Sequence, residues 1–464
     1  MTILYGGRVV TAEASVDAAV RIRDGVVVEV GDLSPHEGEE ALDCTGMLLV
    51  PGGVETHTHL DLECGPGLTT IDDFASGTRS ALAGGTTTVL DFATQFHGES
   101  LAQGLAHWHA KADGRAVTDY GFHMAMTEWK PEFADEMAQV VADGVTSFKL
   151  YMAYQGSMMV EDDQILQALR AAAGLGATIG FHCENGPLVT ERIREELAAG
   201  HRNVYYHPRT RPAEFEREAI NRLGVTASLA DARHYVVHLS SDASLPEIEA
   251  ARGRGARMTV ETCPQYLLLD DSVYGAPEGD DRAARAFMMS PPVRPRGSAD
   301  GLWQALADGR IQFVGTDHCS FLMEGQKDKA GAFNEVPNGA PGIELRMMLL
   351  YAYGVAAGRL TPERYVEVTS TNAAKYFGLY PRKGTIAVGS DADIVVIDPR
   401  PTSTVRHADL HDATDHTPYE GMALTGAIRD VFLRGKHLVR GGVLEEDLPA
   451  GEYLRRGLPD ERIR

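Results

Sequence analysis

The chain has 464 residues, 44% hydrophobic and 23% charged, with a formal net charge of −23. That length exceeds one ordinary domain, and the acidic balance argues against nucleic acid as a partner because it repels phosphate backbones. No stretch approaches the roughly 18 consecutive apolar residues of a membrane span, which argues against a membrane partner, and the start "MTILYGGRVVTAEA" lacks the unbroken apolar core of a signal peptide.

Five scattered cysteines (Cys44, Cys64, Cys183, Cys263, Cys319) form no CxxC pair. The expectation is a cytoplasmic protein without a disulfide framework. The first 50 residues, with "ILYGGRVVT" and "AAVRIRDGVVVEVG", read as short strands turned at Asp24-Gly25. "KGTIAVGSDADIVVIDP" and "IRDVFLRGKHLVRGG" have the same β-branched character near the other end. Residues 1–50 and 381–440 are therefore expected to build one small discontinuous β domain, a sandwich.

Between them, eight apolar segments alternate with helical ones. The strands are "MLLVPGGVETHTHL", "TTTVLDFAT", "DYGFHMAMT", "TSFKLYMA", "TIGFHCEN", "HYVVHLSS", "RMTVETCP" and "IQFVGTDH". "DDFASGTRSALAGG", "EDDQILQALRAAAGLG" and "PAEFEREAINRLGVTASLADA" have helical spacing. Apolar runs flanked by helices indicate parallel strands buried on both faces. Eight such units predict an α/β fold, a closed (β/α)8 TIM barrel over residues 51–380. An open doubly wound sheet would carry a Gly-rich phosphate turn early on, and none is present. Residues 401–421 read as an irregular crossing loop. Residues 441–464 read as a charged tail or an arm for a neighbouring subunit.

Chemistry in such a barrel gathers at the C-terminal ends of the strands. His57 and His59 end the first strand two residues apart, so their rings share a face. Lys149 lies in the fourth, His182 and His238 end the fifth and sixth, and Asp317 ends the eighth. Each has a bland alternative when taken singly: a satisfied core histidine, a turn aspartate, a lysine with its stem in apolar surface. Together, at one end of one barrel, they predict a metal site. A desolvated Lys149 would favour its neutral amine, which carbon dioxide converts to an anionic carbamate able to bridge two cations. His107 and His109 also stand two apart, but on a helix such positions diverge by roughly 200°. His407, His411 and His416, interleaved with Asp409, Asp412 and Asp415, lie in the loop without a rigid frame and are expected to be solvated.

The segments "GGVETHTHLD", "SFKLYMAY", "FHCEN", "VVHLSS", "ETCPQYL", "MSPPVR", "GTDHCSF" and "NEVPNGAPGIELRM" resemble, in order and over nearly the whole length, the hydantoinase/dihydropyrimidinase family of the amidohydrolase superfamily. The resemblance implies two divalent metal ions, usually zinc (Zn2+). His57, His59 and Asp317 would hold one, His182 and His238 the other, with a carboxylated Lys149 (N6-carboxylysine) and a hydroxide bridging them. It implies hydrolysis of a small cyclic amide, a hydantoin or dihydropyrimidine, to an N-carbamoyl amino acid. The hydroxide attacks the ring carbonyl, and Asp317 carries the proton to the leaving nitrogen. Tyr154 steadies the oxyanion, and Ser290 and Asn338 hold the imide. A homo-oligomer, tetramer or dimer, is implied too.

Dihydroorotases resemble this pattern but carry an arginine where Asp61 stands, and Asp61 would repel their carboxylate substrate. An allantoinase is an alternative reading, as is a dihydropyrimidinase-like scaffold protein, although such scaffolds lack the ligands present here. A serine hydrolase would need a GxSxG that the chain does not contain. Glu63 and Cys64 replace the family's usual proline and bulky apolar residue in a loop over the substrate.

Overall fold

The computed structural model describes residues 1–460 and 463. Eight parallel strands form one sheet in chain order. They are β1 (Gly53–Thr58), β2 (Thr86–Gln95), β3 (Asp119–Met126), β4 (Ser147–Tyr151), β5 (Thr178–His182), β6 (Arg233–Leu239), β7 (Arg257–Thr262) and β8 (Phe313–Val314). Every residue of β1 to β5 is buried, as strands with a packed barrel interior on one face and helices on the other must be.

The helical layer starts where the sequence supplies caps. Helix α1 (Phe74–Ala83) begins at Asp73, whose carboxylate accepts the N–H groups of Ala75 and Ser76. Helix α2 (Leu101–Ala112) begins at Ser100 in a capping box with Gln103. The helix Asp162–Leu175 stops at Gly176, which takes φ +68°.

β8 is only two residues long, so the barrel closes beyond it. A parallel bridge joins Thr58 to His318. His59 N–H donates to His318 O at 2.8 Å, and His318 N–H to His57 O at 3.2 Å. Glu55 fastens the same seam. Its Oε1 accepts from the N–H groups of Thr56 (3.0 Å), His57 (2.9 Å) and Thr316 (2.9 Å). Its Oε2 pairs with Arg346 Nε at 3.1 Å, both side chains being fully buried. Arg346 also donates to Val314 O (2.9 Å) and Thr86 Oγ1 (3.2 Å), so β1, β2 and β8 share one clamp.

The chain ends build two further sheets. One has four strands: Val26–Gly31, Ala19–Arg23, Thr2–Tyr5 and Glu40–Asp43. The other has seven and includes Leu48–Pro51, Ile394–Thr404 and Ala423–Leu433. Leu4, Val20, Ile22, Leu49, Ile394 and Phe432 pack between them, as in a sandwich.

Two details differ from expectation. "MLLVPGGVETHTHL" is two strands: Leu48–Pro51 pairs with Ile394–Ile397 in the terminal sheet, and the barrel starts at Gly53. Gly52 makes the joint, since a Cβ there would stand 2.1 Å from Thr87 Oγ1. Residues 401–404 are strand rather than loop, because Thr402–Thr404 pair with Ala423–Thr425 after an irregularity. The irregular crossing begins at Val405.

The C-terminal segment lies along its own barrel. Gly451 N–H donates to Ala116 O (2.8 Å), Leu454 N–H to Tyr120 O (2.7 Å) and Arg456 N–H to Gly144 O (2.9 Å). Arg456 is buried and donates to Phe122 O and to Ser147 Oγ (2.8 Å), closing the N-terminal end. Among the described residues no helix is long and apolar enough to cross a membrane.

The clamp gives a stability prediction. Arg346→Met leaves Glu55 buried without its cation, which should cost about 3–5 kcal/mol. Urea unfolding should show a midpoint lowered accordingly; a midpoint equal to wild type would mean that the pair does not hold the seam.

Candidate metal centre

The six expected ligands meet at the C-terminal mouth of the barrel. His57 Nε2 and His59 Nε2 lie 3.1 and 3.3 Å from Asp317 Oδ1. Lys149 Nζ stands 2.9 Å from His57 Nε2. His182 Nδ1 faces His238 Nε2 at 2.9 Å, and the His57 and His238 rings stack at 5.5 Å. Ligand atoms of His57, His59 and Asp317 all fall within 4.8 Å of one another. Asp317 does not end the strand as expected; it stands three residues beyond Val314, in the turn that closes the barrel.

The backbone is bent to make this meeting. Tyr154, His238 and Asp317 have φ of +67°, +43° and +53°. Left-handed conformations cost non-glycine residues about 1–3 kcal/mol each and persist where surroundings over-determine them.

Buried carboxylates aim two of the rings. Glu261 Oε1 takes His57 Nδ1 (2.7 Å) and His238 N–H (3.1 Å), while its Oε2 takes Thr56 Oγ1 (2.6 Å). Glu184 Oε2 takes His182 Nε2 (2.7 Å) and Arg211 Nη1 (2.5 Å). A carboxylate accepts, so the proton sits on the rear nitrogen and the lone pair of the other points into the cluster. Burial also pulls His59 down to about 4 and lowers His182 and His238, which keeps these imidazoles neutral. Burial opposes charge on Asp317 too, but His57, His59 and His238 around it hold it well below the usual carboxylate range.

Burial and Lys149 oppose charge on His57, yet Asp317 and Glu261 hold it above its ordinary value, and the donors that face one another here do so by sharing protons that a cation would replace. The buried Nδ1 atoms of His59 and His238 have no hydrogen-bond partner among the described residues. Four imidazoles, a carboxylate and an amine convertible to a carbamate fit divalent ions of the zinc type. Burial pulls the Lys149 amine down to about 8, which brings its neutral form within reach.

The cluster floors a cleft of about 720 Å³. Tyr154, Ser290 and Asn338 line it. The Tyr154 ring packs on His182 at 4.8 Å and its hydroxyl meets Ser290. Ser290 Oγ donates to Asn338 Oδ1 at 3.1 Å. Leu62, Cys64, Phe96 and Met158 form an apolar outer wall. Glu63 lines the cleft beside them with its charge paired: Lys111 Nζ holds its Oε2 at 2.6 Å and also donates to Asp61 O at 2.5 Å.

The competing histidines stay apart from the cluster. His107 faces Glu63 at 3.5 Å, and His109 bonds Asp113 at 3.0 Å, on diverging faces of α2. His411 bonds Glu344 at 2.8 Å and His416 bonds Asp415 at 3.1 Å, while His407 stands 3.8 Å from Asp412. Asp409 lies in the short 3₁₀ turn with His407. Sequence reasoning missed Glu55, Glu184, Glu261 and Arg211. Two of them carried a signal: Glu55 and Glu184 stand two residues from a ligand histidine.

The chain is similar over nearly its whole length to known proteins. The amidohydrolase family model matches residues 48–438. The D-hydantoinase of Geobacillus stearothermophilus is 40% identical over 456 residues, 98% of this chain and 96% of its own. The D-phenylhydantoinase of Escherichia coli (strain K12) is 40% identical over 458 residues, 98% of each. The crystal structure of dihydropyrimidinase from Brevibacillus agri NCHU1002 superposes with a TM-score of 0.96 at 41% identity, covering 99% of both chains. With a family model matching most of the chain and relatives this similar over nearly their full length, the chain belongs to the amidohydrolase family, among the hydantoinases and dihydropyrimidinases.

Proposed function

We propose that this protein is a metal-dependent hydrolase of cyclic amides that opens hydantoin or dihydropyrimidine rings to N-carbamoyl amino acids. The observation that carries the reading is the convergence of His57, His59, Lys149, His182, His238 and Asp317 at one barrel mouth. His57, His59 and Asp317 would hold one divalent ion and His182 and His238 a second, with Lys149 as its carbamate between them; zinc suits the donor set. Bound there, the ions supply Lewis acidity toward a carbonyl oxygen and lower the pKa of water.

The chain's own groups supply the rest. Asp317, kept ionised by its histidines, takes the proton from the attacking water and passes it to the ring nitrogen as the C–N bond breaks. Burial raises the Tyr154 hydroxyl above its ordinary value, so it stays protonated and can donate to the oxyanion. Ser290 and Asn338, side by side on the wall, would hold the imide. The apolar residues Leu62, Phe96 and Met158 suit an apolar substituent on the ring carbon.

Relatives named D-hydantoinase and D-phenylhydantoinase favour hydantoins over allantoin. The complete ligand set speaks against a scaffold protein. Assembly as a dimer or tetramer and a cytoplasmic location belong to the same reading, on the family resemblance alone.

Metal analysis joined to a ring-opening panel tests the proposal: dihydrouracil, hydantoin, aryl and alkyl hydantoins of both hands, and allantoin. Turnover of none of them by metal-loaded enzyme would sink it. Lys149→Ala should lose bound metal and most turnover, because no other side chain can bridge; full metal and activity would remove the carbamate from the reading. Tyr154→Phe should lower kcat about 10²–10³-fold with little change in KM, as for loss of one oxyanion donor. A pure KM effect would make it a binding residue.

Lys111→Met frees Glu63 and removes both contacts that Lys111 makes to the Asp61–Glu63 segment beside the cleft. KM for aryl-substituted rings should rise about fivefold to tenfold, with unsubstituted rings little changed. An equal change for both would assign Lys111 a general structural role.

A further inference from the structure

Lys327 is fully buried and does not line the cleft. It sits in a one-turn helix, Lys327–Lys329, well after β8. Its Nζ donates to three backbone carbonyls: Pro337 O at 2.8 Å, Gly339 O at 2.8 Å and Met288 O at 3.3 Å. An ammonium has three N–H donors, and all three are used. Among the described residues no carboxylate is paired with it. A buried cation with no counter-charge is costly, and burial pulls this amine down to about 7, so its presence needs a reason.

The reason is in what the carbonyls belong to. Pro337 and Gly339 flank Asn338, and Met288 precedes Ser290 by two residues. The two segments are stitched to each other as well, with Gly339 N–H donating to Met288 O at 2.8 Å. Carbonyls alternate in direction along extended backbone. Drawing the carbonyls of Pro337 and Gly339 to one side turns the Asn338 carbonyl to the other. There Cys319, a cleft-lining residue, approaches it with Sγ at 3.8 Å. Gly339 allows this close approach, since a Cβ would stand 2.2 Å from Cys319 O. Lys327 is itself held from outside: Arg285 Nη1 donates to Lys327 O at 2.9 Å and to Ala330 O at 3.1 Å.

We propose that Lys327 is a positioning residue for substrate, a buried ammonium staple that presents the Asn338 carbonyl and the Ser290 segment to a ring N–H of a cyclic ureide or imide. This rests on the reading of Ser290 and Asn338 as substrate-binding residues. Its chemical consequence is selectivity for rings that carry a free imide N–H.

The experiment uses metal-loaded enzyme, with hydantoin or dihydrouracil and the analogue methylated at the imide nitrogen. Wild type should turn over the N–H substrate with the higher kcat/KM. Lys327→Met should raise KM for that substrate about tenfold, change kcat less than about threefold and keep wild-type metal content. The N-methyl analogue, which offers no such hydrogen, should keep its kcat/KM.

Equal handling of the two substrates by wild type would overturn the imide reading and the staple with it. Discrimination retained undiminished in folded Lys327→Met would overturn the staple alone. Should Lys327→Met not fold, Arg285→Ala leaves the ammonium in place and loosens its segment. It should raise KM for the N–H substrate about threefold at unchanged kcat, and an unchanged KM would overturn the proposal.

Discussion

Glu55 takes three backbone N–H groups and a buried guanidinium, and the mouth of the barrel hangs on that one carboxylate. β8 contributes only Phe313 and Val314 to the ladder, so regular pairing cannot close the sheet against β1. A side chain and a single bridge do so instead. The chain then leaves β8 free to turn, and Asp317 takes φ +53° to bring Oδ1 against His57 and His59. Strain there is affordable only because the residues on either side, Thr316 and His318, are tied to β1.

The same economy governs the rings. A histidine at a strand end can offer either nitrogen, and a metal needs one of them free. Glu261 reaches across from β7 to fix His57 and also takes the His238 amide, so one carboxylate orients parts of two ligands. Glu184 does this for His182 and is balanced by Arg211. The buried negative charges thus sit behind the rings, and the lone pairs converge in front.

How much of this was legible follows from which signals are local. The eight strands showed because strands buried on both faces read as apolar runs bounded by helices. His57 and His59 showed because a strand repeats every two residues. The joint at Gly52 did not show, since an unbroken apolar run gives no sign that Leu48–Pro51 pairs with Ile394–Ile397, more than 340 positions away. Glu261 stayed hidden because a carboxylate in an apolar strand looks the same whether it serves a ring or a turn. Glu63 reads from the sequence as a charge facing water, because its partner Lys111 lies on α2 and nothing local announces the pair.

Three buried lysines show how far surroundings decide a side chain's work. Lys383 lies among Asp119, Asp391 and Asp393 at 2.6, 2.9 and 2.7 Å, and burial is outweighed: its ammonium is held above the ordinary value, a fixed cation tying the terminal sheet to β3. Lys327 meets three carbonyls and burial brings it down to about 7, so its hydrogen bonds rather than a fixed charge orient the backbone. Lys149 has neither a bonded carboxylate nor a carbonyl. It has the His57 imidazole at 2.9 Å and the face of Phe92 at 4.2 Å, and burial brings it down to about 8. Lys149 and Lys327 are both left with little to hold a proton, and of the two only Lys149 stands among the candidate ligands. An amine in that position is the one suited to give up its proton and become an anion, and the cations it would face are what would make that change favourable.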